Sequence, residues 1–366
     1  MLYSLQFTRQ KRLFPIIKKQ KNPVRPRQIL YARSVKIKAK KIATEAVEVC
    51  LLLLHVHGRG NGFAARTYLV ADEPVPDDGI FFRKTGGKAY CLETTMSKKR
   101  NCVGYEIDAS AEIPARLSRY YTDLGYTDDD IIYKADTSSD EITHHFLVLL
   151  FAHLYLVEDD AELGELIKSS VKGMMNHIID NGYQLVDYSG EPTTWAKWNL
   201  EYFNTAIGWA DACLNAGQLL MYMRVTMHLT GEKGIWQETF DELLEKGYAD
   251  LTVKHYDRFN QVCVQGGIDF REDIMYGDHM LAVLSLWGLI TLEPDEALKE
   301  KFRTAFRSWR GSLAPEFNPG YDFPYFLSDP DNAKPDPERI RTWFYRFAVS
   351  RLASNVSLDM RRDYPK

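Results

Sequence analysis

Apolar side chains recur at helical spacing over seven stretches of this sequence, and the connections between those stretches alternate between very short and very long. That alternation restricts the fold more than any other feature. The periodic stretches are 42–57, 140–159, 161–181, 212–230, 234–251, 278–293 and 295–311, with an eighth candidate at 337–353. Single residues or a tripeptide join the second to the third at Asp160, the fourth to the fifth at Gly231-Glu232-Lys233, and the sixth to the seventh at Pro294. Connections this short make consecutive helices antiparallel. All the short turns then lie at one end of the assembly and all the long segments at the other, namely 58–139, 182–211, 252–277 and 312–336.

A helical hairpin is therefore the repeating unit, and a Gly-Tyr dipeptide after a helix echoes it at 182–183 and again at 247–248, 65 positions later. Stacked hairpins form an open solenoid or a closed α/α toroid, and loops elaborated on one side only favour the toroid. The expected class is mainly α, with short β pieces such as GIFFR (79–83) and KAYCLE (88–93) in the long loops of one face.

Charge divides the chain into a basic segment, 1–41, and a main domain, 42–366. The segment holds thirteen Lys and Arg and no Asp or Glu, so a whole-chain charge of −4 leaves −17 on the remainder. An acidic body is a poor nucleic-acid surface. Residues 1–41 are Arg-rich like a transit peptide, but Pro15, Pro23 and Pro26 interrupt them and no amphipathic stripe is clear, so a solvated, disordered tail or an atypical start is expected. No secretory signal is readable, since CLLLLHVHG (50–58) is short and internal, and nothing approaches the ~18 apolar residues of a membrane span. The five cysteines, at 50, 91, 102, 213 and 263, contain no C-x-x-C. They make neither a zinc ribbon nor a disulfide framework; Cys91 and Cys102 flank a polar stretch that a bridge would close as a hairpin.

The densest chemistry is DTSSDEITHHF (136–146). Ser138 and Glu141 have capping-box spacing, and Asp136 and Asp140 favour a helix start through its dipole. A calcium loop fails, because Glu141 stands at position six where glycine is needed and Leu147 at position twelve where glutamate is needed. Adjacent His144 and His145 are about 100° apart around a helix, so one at most faces a given site. His153, inside the apolar run, reads as a core histidine. No metal set is readable, and no G-x-S-x-G, P-loop or convincing dinucleotide motif calls for a cofactor.

The same face collects other unusual residues. Arg66 lies in the first long loop, and Tyr183, Asp187, Glu191, Trp195 and Trp198 in the second. Asp269, Glu272, Asp273 and Asp278 lie in the third, and PEFNPGYDFPYF (315–326) in the last. Acids, amides and loop aromatics are the chemistry of sugar recognition. The bland alternatives are that Trp195 and Trp198 anchor a loop to the core and that Asp278 is an N-cap.

GFAAR (62–66), DTSSDE before an apolar helix, HIIDNGYQLVDYSGEPTTWAKW (177–198) and PEFNP after Trp309 together resemble an uncharacterised group of bacterial proteins related to the six-hairpin, (α/α)6-toroid glycosidases. The likeness runs from about residue 42 to the C-terminus. It implies a toroid and an enzyme that cuts polysaccharides by hydrolysis or β-elimination, commonly exported. The chain departs from the pattern in having seven or eight helices where a full toroid has twelve, and in having a basic leader. The expected function is a glycoside hydrolase with a carbohydrate partner, a lyase or a non-catalytic binding scaffold being the alternatives. Asp140 and Asp278 are the expected acid/base pair, with Glu141 and Asp187 as replacements. Arg66, His144, Tyr183, Trp195, Trp198 and Asp136 are expected to hold the sugar.

Overall fold

A computed structural model describes residues 26–254, 264–265, 268–269, 276–314 and 317–346. The basic segment up to residue 25, Glu272, Asp273, Pro315, Glu316 and residues 347–353 lie outside the described residues. Contacts separate two units, Met1–Glu45 and Ala46–Lys366. The second holds the sheet and the helix pairs.

Helix α1 (Pro26–Leu53) is followed by a turn that ends at Gly58. Gly58 has φ +67°, and a Cβ there would stand 2.3 Å from the Ala109 carbonyl oxygen, so glycine is required. Next comes a five-stranded antiparallel sheet of β1 (Thr67–Val70), β2 (Phe81–Thr85), β3 (Lys88–Cys91), β4 (Glu106–Asp108) and β5 (Ile131–Lys134), in the order β1-β5-β2-β3-β4. Gly86 and Gly87, both at positive φ, turn β2 into β3 and suit the two-residue hairpin. Short helices α2 (Thr95–Lys99) and α3 (Ala115–Thr122) lie between strands.

From β5 the chain enters α4 (Ser139–Tyr155), and five residues later α5 (Ala161–Asp180) runs back. Hairpin β6 (Gln184–Val186) and β7 (Pro192–Lys197), with α6 (Leu200–Phe203), leads to α7 (Gly208–Thr230). Gly231 at φ +70° ends α7, and α8 (Gly234–Glu245) and α9 (Tyr248–Lys254) follow. A two-stranded pair, β8 (Val264–Gln265) and β9 (Ile268–Asp269), precedes α10 (Tyr276–Leu292). Asp295 caps α11 (Glu296–Leu313), and α12 (Pro319–Ser328) and α13 (Pro337–Arg346) complete the described chain.

Helices α4, α7 and α10 contact one another pairwise, and α5, α9, α11 and α12 pack around them. On α7, Leu219 to Met223 are all fully buried, so this helix is enclosed on every side instead of showing one apolar stripe. The Tyr222 ring stacks on Phe146 of α4 at 4.4 Å, and its hydroxyl meets that of Thr143 at 2.6 Å. Gly288 sets the approach of α10: a Cβ there would stand 2.8 Å from Met221 Cγ and 3.5 Å from Leu147 Cδ2. At the short-turn end, Arg224 of α7 forks onto Glu293 with two bonds of 2.8 Å and lies 3.8 Å over the Phe240 ring.

These residues establish a mainly helical chain of paired helices with a small antiparallel sheet. They do not establish a closed ring of six hairpins.

Candidate functional site

Each of the three central helices begins after a long connection and carries an aspartate in its first turn: Asp140 on α4, Asp211 on α7 and Asp278 on α10. Burial, then the like charges of Asp211 and Asp140, push the Asp278 carboxyl up to about 6. Two of these causes are carboxylates on the other two helices, so the three helix starts converge on one place. Burial first and Glu141 second raise Asp140 as well, opposed by Arg66 and His144. The outer side of Asp140 is exposed. The expected pair Asp140 and Asp278 thus shares one electrostatic neighbourhood, with Arg66, Glu141 and His144 at its edge.

Local folding accounts for much of that edge. Ser138 accepts from the Asp140 N–H, while Glu141 reaches back to the Ser138 N–H at 2.8 Å and hydroxyl at 2.7 Å, completing the expected capping box. The other Glu141 oxygen pairs with Arg66 Nε at 3.1 Å. With both oxygens committed, Glu141 is a poor substitute acid or base. His144 sits on the exposed side of α4, its Nδ1 2.7 Å from the Asp140 carbonyl oxygen. His145 is buried, and burial pushes it down to about 4, so it belongs to the core.

Asp136 and Asp187 brace the turn that leads into α4. Asp136, at φ +56°, accepts from the Thr194 N–H and hydroxyl at 2.9 Å, while its own N–H donates to Asp187 at 2.9 Å. The second Asp187 oxygen accepts from the Tyr188 N–H at 2.7 Å. Burial raises Asp187 to about 6 against these two N–H bonds and the Arg59 charge. Of the expected residues, Asp187 thus has both oxygens on backbone N–H groups, and Asp136 is engaged by the Thr194 N–H and hydroxyl, with Arg100 Nη2 at 3.9 Å.

The two tryptophans separate. Trp195 is 51% exposed on β7, whereas Trp198 is fully buried, its indole N–H donating to Gln218 at 2.9 Å and its ring meeting Tyr222 edge-on. Trp198 therefore has no exposed ring face, and its indole N–H is already engaged. Tyr183, at φ +63°, has Lys246, Glu242 and Tyr248 as its charged and phenolic neighbours, with none of the three aspartates among them; burial raises its phenol.

Asp211 was missed by the sequence reading. Its Oδ2 accepts from the Tyr202 hydroxyl at 2.5 Å, and Lys197 Nζ stands 5.4 Å over the Tyr202 ring. The signal was an acid near the start of a third apolar helix, hidden by an expected start at 212 where α7 begins at Gly208. Exposed Ile207 and Trp209 flank that start.

A cleft of about 400 Å³ lies elsewhere, bordered by Gly60, Asn61, Gly62, His177, Asp180 and Asn181, and holds none of the expected residues. His177 is committed there, with Nδ1 on the Asn61 carbonyl at 2.8 Å and Nε2 accepting from the Val186 N–H at 3.0 Å. Among the described residues no group of three or more His, Cys, Asp or Glu is arranged to hold a metal ion, and no helix is long and apolar enough to cross a membrane. No protein-family model matches the chain, and neither the curated proteins nor the solved structures contain a significant match to it.

Proposed function

We propose that the protein is a carbohydrate-active enzyme, a glycoside hydrolase, working where the starts of α4, α7 and α10 meet. The observation that carries this reading is Asp278, a carboxyl held near 6 by burial and by Asp211 and Asp140. A carboxyl that holds its proton up to about pH 6, with other acids close by, suits the division between acid and base that glycoside cleavage needs. In this proposal Asp278 protonates the leaving oxygen and Asp140, exposed at the rim, is the carboxylate that acts on the sugar or on water. Arg66 and His144 border Asp140, and Trp195 offers an aromatic face. The paired helices would then be hairpins of an incomplete α/α toroid, in keeping with the resemblance noted in the sequence.

The lyase alternative is weaker. It needs Tyr183 or His144 as base, and the phenol of Tyr183 is raised by burial. The non-catalytic alternative draws on a specific observation: the cleft at Asn61 and His177 excludes every expected residue. Digestion of a polysaccharide and oligosaccharide panel, read as new reducing ends, tests the proposal. Asp278→Asn and Asp140→Asn should each lower the turnover found by about 10²-fold or more while the fold survives. Full activity in both variants overturns the assignment, and binding without turnover across the panel favours the scaffold.

A further inference from the structure

We infer that Cys91 and Cys102 are a site of reversible covalent cross-linking, forming a disulfide by exchange with a small disulfide oxidant. Cys91 ends β3 and Cys102 follows α2; their sulfurs lie 3.6 Å apart, and both residues are buried. The backbone around them is already pinned. The Cys91 N–H donates to the Tyr105 carbonyl, the Gly104 N–H to the Cys91 carbonyl and the Cys102 N–H to the Ser97 carbonyl, each at 2.9 Å. Bond formation therefore asks the two sulfurs to close about 1.5 Å, a distance within the reach of side-chain rotation. The two other described cysteines, Cys50 and Cys213, lie apart from the sheet on α1 and α7.

The pair is buried but thinly covered. Residues 98–101 and 103–105 are exposed, so a small oxidant reaches the sulfurs when this segment opens locally. Burial first and the Cys102 sulfur second push the Cys91 thiol up, which keeps it protonated and makes exchange slow while the segment is closed. In the step itself, one cysteine thiolate attacks glutathione disulfide and expels one glutathione thiolate, giving a mixed disulfide. The other cysteine thiolate then attacks the protein sulfur and expels the second. Two cysteine S–H bonds are lost, one S–S bond forms, and the oxidant leaves as two thiols that take up the two protons. The link would close the segment that carries Arg100, whose Nη2 donates to the Thr194 hydroxyl at 2.7 Å beside Asp136. Oxidation thereby ties the sheet more firmly to the brace beneath α4.

The test uses the full chain, reduced, then equilibrated in glutathione buffers of graded ratio, quenched in acid and alkylated unfolded. The expected result is a Cys91–Cys102 peptide, a mass loss of about 2 Da and three alkylated cysteines of the five. Trypsin cleavage after Lys98, Lys99 or Arg100 should slow several-fold on oxidation and leave the fragments joined. Cys102→Ser and, separately, Cys91→Ser should each abolish both effects, with circular dichroism checking that the variant is folded. Five alkylated cysteines at every ratio, a link to Cys50, Cys213 or Cys263, or a terminal mixed disulfide with glutathione would each overturn the inference.

Discussion

Asp278 makes the molecule less stable at neutral pH than it would be with a neutral side chain. Its carboxyl sits near 6 in the folded chain and near the ordinary aspartate value in the unfolded one, so between about pH 4 and 6 the folded state holds the extra proton. Stability therefore falls as pH rises through that window, and Asp278→Asn removes the fall. Urea unfolding at pH 7 should show the variant more stable by about 1–2 kcal/mol, the full shift being discounted for partial exposure. An unchanged or lower midpoint would contradict the raised carboxyl. This residue was legible because an acid before an apolar run marks a helix start. The fate of Trp198 was legible in part: Ala196 and Trp198 share strand parity and both are buried, while Trp195 has the opposite parity and is exposed. What parity could not supply was Gln218, twenty residues away, as the partner of the indole N–H.

Among the elements, the helix pairs were readable because short turns leave no freedom in how consecutive helices run. Their starts were read less well. The start of α7 lies four residues ahead of the expected one, since Gly208 and Trp209 give no capping signal, and no side chain caps it. The closeness of α7 to α10 was not readable either, because it depends on two residues far apart in the sequence. Arg224 and Glu293 hold those helices together across the short-turn end. Glu293 is fully enclosed, and burial raises its carboxyl despite the guanidinium. Arg224→Met would strand that acid, and a loss of about 3–5 kcal/mol is expected in thermal or urea unfolding. Adding Glu293→Leu should restore much of the loss, because two apolar groups of similar volume replace a desolvated pair. A double variant as unstable as the single one would mean that the ion pair itself supplies the stability.

At the scale of the second unit, a hub linking α1, α3 and the start of α5 contributes to the acid limit. Burial would raise Glu48, but the Tyr120 hydroxyl, Arg116 and Arg119 outweigh it and hold the carboxyl below its ordinary range. Arg116 also forks onto Asp160, the N-cap of α5, at 2.6 and 2.8 Å. A depressed carboxyl contributes stability that is complete above the unfolded-state value and lost as pH falls through the folded one. Unfolding should thus become easier below about pH 4, and Glu48→Gln should lower stability at pH 7 while flattening that acid limb. None of this hub was foreseen, since Glu48 sits in an ordinary helical stretch and its partners lie some seventy residues on. Gly288, where a Cβ would stand 2.8 Å from Met221 Cγ, has a mechanical side. It lies ten residues from Asp278, about 15 Å along the axis, so it acts as a fulcrum with the aspartate at the end of a lever. A methyl wedged in at that point and tilting the rod by roughly 4° would swing the acid by about 1 Å, enough to detune the proposed chemistry without altering any side chain of the site.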